Sequence, residues 1–216
     1  NQIKGTIIHT PKGRQISLGG DRIHALVIDR GRFDQLLAEQ AQEAGVTLVL
    51  EARVRGIENT GRGTRLSIQR KGQRTSVDVQ LVVGADGSHS VVAQNIGAHA
   101  PEESTLAIGG EIAGGALDSG MVEVFVRPDL APGWFGWVIP LGEGAARIGI
   151  GSSDWALQPR RLLEGLVNQY PHLQNKRFLR LQGGVIPLTS VRRISAPGAM
   201  LVGDAAGQVK PTSGGG

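Results

Sequence analysis

The last fifteen residues, Val202-Gly-Asp-Ala-Ala-Gly-Gln-Val-Lys-Pro-Thr-Ser-Gly-Gly-Gly216, decide how the rest of the chain is read. The apolar run Ala199 to Val202 has the character of a buried strand and breaks at once into Gly203-Asp204. A buried strand ending in Gly-Asp brings a carboxylate to the lip of a sheet, where open α/β sheets place their ligands. The small residues that follow let backbone approach a ligand closely. Leu81-Val-Val-Gly-Ala-Asp-Gly-Ser88 has the same punctuation far earlier in the chain. Together the two stretches predict strands of one parallel sheet ending on the same edge.

Composition narrows the classes. Hydrophobic residues at 40% and charged residues at 19% describe an ordinary globular core. The net charge of +4 suits an anionic ligand, but the basic residues are dispersed and aromatics make up only 4%. A nucleic-acid surface needs a basic stripe with stacking rings, so that reading is set aside. The absence of Cys removes disulfides and thiolate chemistry and fits a reducing, cytoplasmic setting. The five His have no metal-ligand spacing, and no apolar run approaches the ~18 residues of a membrane span. With no initiator Met and a last residue inside the binding loop, the chain reads as an interior fragment.

Between these landmarks the pattern is regular. Residues 3–9 and 14–18 alternate around Pro11-Lys12-Gly13 as a β-hairpin, and Ala25–Asp29 reads as a strand. Arg30 to Ala44 is helical, with Gly45 as the residue after its end. Short strands follow at 46–50, 53–57, 64–70 and 74–80. Ser88 reads as the N-cap of a short helix, His89 to Ile96. Residues 104–190 change character: strands at 105–113, 120–127, 134–140 and 145–151, a helix from Pro159, then strands at 176–183 and 184–188. The fold class is therefore α/β, with an inserted antiparallel sheet and one helix.

The ordered set Arg30-x-x-Phe33-Asp34, Gly84-Ala-Asp-Gly-Ser88, Gly203-Asp-Ala-Ala-Gly207, Pro211 and Gly214-Gly-Gly216 resembles FAD-dependent oxidoreductases of the p-hydroxybenzoate hydroxylase-like fold. The known branches include aromatic monooxygenases and geranylgeranyl reductases. Gly207 stands where the monooxygenases usually carry His. Gly133-Trp-Phe-Gly-Trp-Val-Ile-Pro140, followed by Gly142 and Arg147-Ile-Gly-Ile-Gly151, is similar to a reductase signature. The resemblance implies a Rossmann-like FAD-binding domain at 1–103 that lacks its first βαβ unit and GxGxxG. It further implies a substrate domain at 104–190 and a return to the FAD domain at 191–216.

The resemblance also implies roles. Arg30 would reach the phosphates or ribityl chain of FAD, as guanidinium suits phosphate; the alternative is an ordinary surface Arg. Asp34 would order the first turn of its helix. Val54 would lie beside the adenine or be a plain strand residue. Asp86-Gly87 is either a structural turn or a contact near the pyrophosphate. Gly203, Asp204, Ala205 and Gly207 would bind ribityl hydroxyls and pyrophosphate, and Gly214, Gly215 and Gly216 would pass under the isoalloxazine ring. Trp134, Phe135 and Trp137 are either core aromatics or the wall of a prenyl tunnel. Residues 135 and 137 would share one strand face, with 134 on the other.

The implied activity is reduction of isolated C=C bonds in an isoprenoid chain, carried on a lipid or a diphosphate, by hydride from reduced flavin. NAD(P)H or ferredoxin would donate the electrons, and a lipid substrate fits contact with a membrane surface. A flavin monooxygenase and a non-catalytic binding fragment are the competing expectations. No residue is assigned as proton donor, and no metal or nucleic-acid partner is expected.

Overall fold

In the computed structural model, which describes residues 1–114 and 120–210, the alternating stretches become strands of four sheets. The contacts divide the chain into two units. One comprises Asn1–Phe33 and Thr105–Val185, the other Asp34–Ser104 and Ile186–Gly216. The first thirty-three residues thus belong with the inserted sheet, whereas the sequence reading grouped 1–103 together.

The first unit is built on a seven-stranded sheet. Its strands, from edge to edge, are Arg177–Pro187, Ser104–Ala113, Ala145–Ser152, Gly136–Gly142, Met121–Phe125, Gly5–His9 and Gln15–Gly19. Neighbours among Ser104–Ala113, Ala145–Ser152, Gly136–Gly142 and Met121–Phe125 pair antiparallel, as expected of the insertion. The predicted hairpin then extends this sheet: Gly5–His9 runs parallel to Met121–Phe125 and antiparallel to Gln15–Gly19. The two strands predicted at 176–183 and 184–188 are one, Arg177–Pro187. Gly183-Gly184, read as a break, lies inside it because glycine permits extended backbone as readily as a turn.

One face of this sheet carries the core. Helix Pro159–Gln169 starts on proline, as predicted, and buries Leu163 and Leu166. These pack with Phe125, Val138, Ile148 and Ile150, which alternate with outward residues along their strands. The same face holds a buried polar group. Glu123 Oε2 lies 2.6 Å from His9 Nε2 and Oε1 lies 2.9 Å from His172 Nε2. His9 stacks on Phe125, and Tyr170 meets both rings edge-on. Arg127, two residues past strand Met121–Phe125, reaches both Asp129 and the Tyr170 hydroxyl. Its hydrogen bonds hold the Asp129 carboxyl below the usual carboxylate range.

The second unit contains a meander and a small parallel core. Strands Ala52–Asn59, Thr64–Arg70 and Gln73–Val79 pair antiparallel in the predicted order. Val82–Gly84 runs parallel to Ala199–Leu201, and short helix Val91–Asn95 packs nearby through Val92. The N-cap is Ser90, whose hydroxyl accepts from Ala93 N–H at 2.9 Å, and not Ser88. Asp86 Oδ2 accepts from Val91 N–H at 2.7 Å, so the turn at 86–87 ends two residues later than a Ser88 cap requires.

Helix Arg30–Glu43 matches its prediction, and Gly45 closes it with φ of 92°. Asp29 caps its start: Oδ1 accepts from Arg32 N–H at 3.1 Å and its carbonyl from Phe33 N–H. The helix buries none of its residues, and Phe33, Leu36 and Leu37 are 43–49% exposed. Val46–Leu50, predicted as a strand, is not one. It pairs with no strand among the described residues, and an apolar run without a ladder partner has no reason to settle into sheet geometry.

Candidate functional site

In the second unit the two punctuated strands end side by side. Leu201 lies opposite Gly84, and Val202 N–H donates to the Gly84 carbonyl at 2.9 Å. From that shared edge the chain leaves as Ala85-Asp86-Gly87 on one strand and Gly203-Asp204 on the other. Gly84 permits the close approach of helix and strand, since a Cβ there would lie 2.6 Å from Val92 Cβ and 2.8 Å from Leu201 Cδ2. Gly87 and Gly203 are different: both have positive φ, 79° and 59°, and nothing lies within 4 Å of where a Cβ would stand. Open backbone at two adjacent strand ends is a cradle that side chains would fill. Among the described residues no hydrogen bond or ion pair engages the exposed Asp204 carboxylate. A dinucleotide's hydroxyls and phosphates fit this combination of acceptor and bare backbone.

The remaining predicted residues of that loop separate into structural and available groups. Ala205 is buried in the core, so its side chain is not offered to a ligand. Gly207 N–H is spent on the Asp204 carbonyl and Gln208 N–H on the Gly203 carbonyl. Gly207 has φ of 66°, and a Cβ there would collide with the Thr189 carbonyl and lie 2.9 Å from Ser190 Cα. Its glycine thus has a packing cause of its own. Asp86 has one oxygen committed to the helix cap. Val54 is half-buried on the meander, at the start of a register shift between Val54 and Gly56. Gly214, Gly215 and Gly216 lie outside the described residues.

In the first unit the aromatic cluster is better ordered than strand alternation predicted. Trp134 and Phe135 precede strand Gly136–Gly142 and stack with ring centroids 5.0 Å apart; Phe135 and Trp137 meet edge-on at 5.9 Å. Trp137 lies flat across Gly149, where a Cβ would come within 2.5 Å of Cε2, and reaches Gly109 beyond it. Trp134 lies on Gly151, where a Cβ would stand 2.9 Å from its Nε1. Gly149 and Gly151 point to one sheet face, so Trp134 and Trp137 share that face. The expected opposite placement of Trp134 fails because it sits in the turn after Gly133, whose φ is 70°, before strand alternation begins. Glycines 109, 149 and 151 join the candidate site, a role the sequence analysis does not give them. The signal for two of them is the Gly149-x-Gly151 in a strand, which marks close approach of another group, and for the third the Gly109-Gly110 pair.

The register extends this face. Ile16, Ile8, Val124, Trp137, Gly149 and Gly109 form one cross-strand row. Five inter-strand spacings of ~4.8 Å make that row about 24 Å long. Two shorter rows flank it on the same face, Leu18–Thr6–Val122 and Ile139–Arg147–Glu111. Arg30 is exposed at the start of its helix, in this same unit.

A family model described as an FAD binding domain matches residues 13–124, more than half of the chain. The chain belongs to the FAD binding domain family. Among curated relatives of this FAD-binding chain, the digeranylgeranylglycerophospholipid reductase of Methanocaldococcus jannaschii is 29% identical over 100% of the chain and 57% of that protein. The enzyme of the same name from Thermoplasma volcanium is 31% identical over 100% of the chain and 58% of its own length. A crystal structure of a geranylgeranyl bacteriochlorophyll reductase-like protein from Thermoplasma acidophilum superimposes with a TM-score of 0.86 at 25% identity. It covers 100% of the chain and 58% of that protein. The chain spans a little over half the length of the curated relatives it matches.

Proposed function

We propose that the protein carrying this chain is an FAD-dependent oxidoreductase that saturates isolated C=C bonds of a geranylgeranyl-type chain on a lipid or diphosphate. The observation that carries this reading is the aromatic sheet face. Trp134 and Trp137 lie over a glycine floor with Phe135 against both rings, and Trp137 stands in line with Val124, Ile8 and Ile16. A row about 24 Å long suits an extended apolar chain better than a single small ring. The similarity to reductases of geranylgeranylated phospholipids along the whole chain supports the same substrate class.

Bound FAD supplies the hydride, and NAD(P)H or ferredoxin replenishes its electrons. The chain's own residues bind and orient. Asp204 accepts hydrogen bonds from ligand hydroxyls, and Gly87 and Gly203 let phosphate or sugar rest on backbone. Arg30 pairs with cofactor phosphate. The indoles hold the alkene and keep water from it, which favours transfer to carbon over loss to solvent. No helix among the described residues is long and apolar enough to cross a bilayer. A cytoplasmic protein would meet such a lipid substrate at the membrane surface.

The test is flavin reoxidation without oxygen. The FAD-loaded protein is reduced anaerobically and mixed with a geranylgeranylated phospholipid or with geranylgeranyl diphosphate. Return of the oxidised-flavin absorbance only when prenyl substrate is present supports the reading. Reoxidation only on admitting oxygen, with no effect of substrate under anaerobic conditions, contradicts it.

A further inference from the structure

We infer that Arg147 is a positioning residue for Arg30, fixing the start of the Arg30 helix to the edge of the aromatic face; the inference rests on the proposed role of Arg30 toward FAD. Arg147 stands on the same face of strand Ala145–Ser152 as Gly149 and Gly151, one register step from Trp137. Its Nε lies 3.3 Å from Glu111 Oε1 on the neighbouring strand, directly opposite in register. Its Nη1 donates to the Ile28 carbonyl at 3.1 Å. Asp29 follows Ile28 and caps the helix through Arg32 N–H and Phe33 N–H. Arg30 is the first residue of that helix.

A continuous path thus runs from sheet carboxylate to guanidinium, to backbone carbonyl, to helix cap, to Arg30. Every member belongs to one unit. Three further bonds steady the same segment. Val27 N–H donates to the Asn1 carbonyl at 2.7 Å, the Asn1 amino group donates to the Val27 carbonyl at 3.1 Å, and Asn1 Nδ2 donates to the Pro140 carbonyl at 3.0 Å. None of the three holds Ile28 itself, whereas Arg147 reaches the last residue before the cap. A guanidinium is suited to this because its fork presents several donors in fixed geometry, and Glu111 orients that fork. The position of Arg30, and so its reach to a phosphate, then depends on a side chain that need not touch the cofactor.

The experiment is a double-substitution cycle on the complete protein, with FAD affinity measured by flavin fluorescence titration of the FAD-stripped form. Arg147→Met is expected to weaken FAD binding about tenfold, as loss of an orienting hydrogen bond from a charged group would. In an Arg30→Met background the same substitution is expected to change affinity less than about twofold, because coupled residues are non-additive. Hydrogen exchange of amides 28–33, read without FAD, is expected to accelerate in Arg147→Met. Should that variant not fold, Arg147→Lys, which loses the two-partner reach, enters the same cycle. Unchanged FAD affinity, or an equal loss in both backgrounds, overturns the inference. Failure of the unsubstituted protein to bind FAD overturns the functional reading instead. In that case unchanged exchange of amides 28–33 in the variant would also remove the anchoring role.

Discussion

Glu123 is 9% exposed and sits between His9, 4% exposed, and the half-buried His172. An ionised carboxylate only accepts, so with Glu123 charged each imidazole donates through Nε2 to one of its oxygens. The three residues come from a strand of the N-terminal hairpin, a strand of the insertion and the turn after helix Pro159–Gln169. They hold the back of the sheet whose front is the aromatic face. Glu123→Gln offers an amide N–H to one imidazole donor and leaves it unsatisfied, at a cost of about 1–3 kcal/mol. A lowered Tm in calorimetry is the expected result, and an unchanged Tm would show the cluster to be dispensable. The five His carry no metal-ligand spacing, so sequence alone does not single out His9 or His172. What was visible is that Glu123 alternates in phase with Met121 and Phe125, which places a carboxylate on a core face. Such a group requires a partner.

Elements account for most of what sequence reading recovered. Pro159 at the first helical turn, Gly45 after a helix and the Gly13 hairpin act within a few residues, so local chemistry determines them. The parallel pairing of Val82–Gly84 with Ala199–Leu201 was also legible, because both strands end in the same small-residue and Asp punctuation. Less legible were features set by distant packing. Nothing local says that Gly5–His9 pairs with Met121–Phe125, or that a turn before strand Gly136–Gly142 puts Trp134 on the same sheet face as Trp137. The glycine floor is open to a direct test. Gly149→Ala drives a methyl against the face of the Trp137 indole, and overpacking of that kind costs about 1–3 kcal/mol. The ring must then lift or turn, so a changed near-ultraviolet CD spectrum should accompany the lower Tm. Unchanged tryptophan signals would mean that the indole does not lie on the strand.

For the whole molecule, two units supply different chemistry. The second offers open glycine backbone and the Asp204 carboxylate at adjoining strand ends; the first offers a long apolar face with Arg30 and its anchor. Gly207 was read as a mark of the reductase branch, yet its positive φ and its contact with Thr189 give it a structural cause as well. The substrate assignment therefore leans on the aromatic face and on the relatives more than on that residue. Its most direct test is the mass of the product. The reduced, FAD-loaded protein is incubated without oxygen with a geranylgeranylated phospholipid, and the prenyl chain is released and weighed. Gain of a hydrogen pair for each double bond saturated is the predicted result. An unchanged prenyl mass, or gain of an oxygen atom once air is admitted, would contradict it.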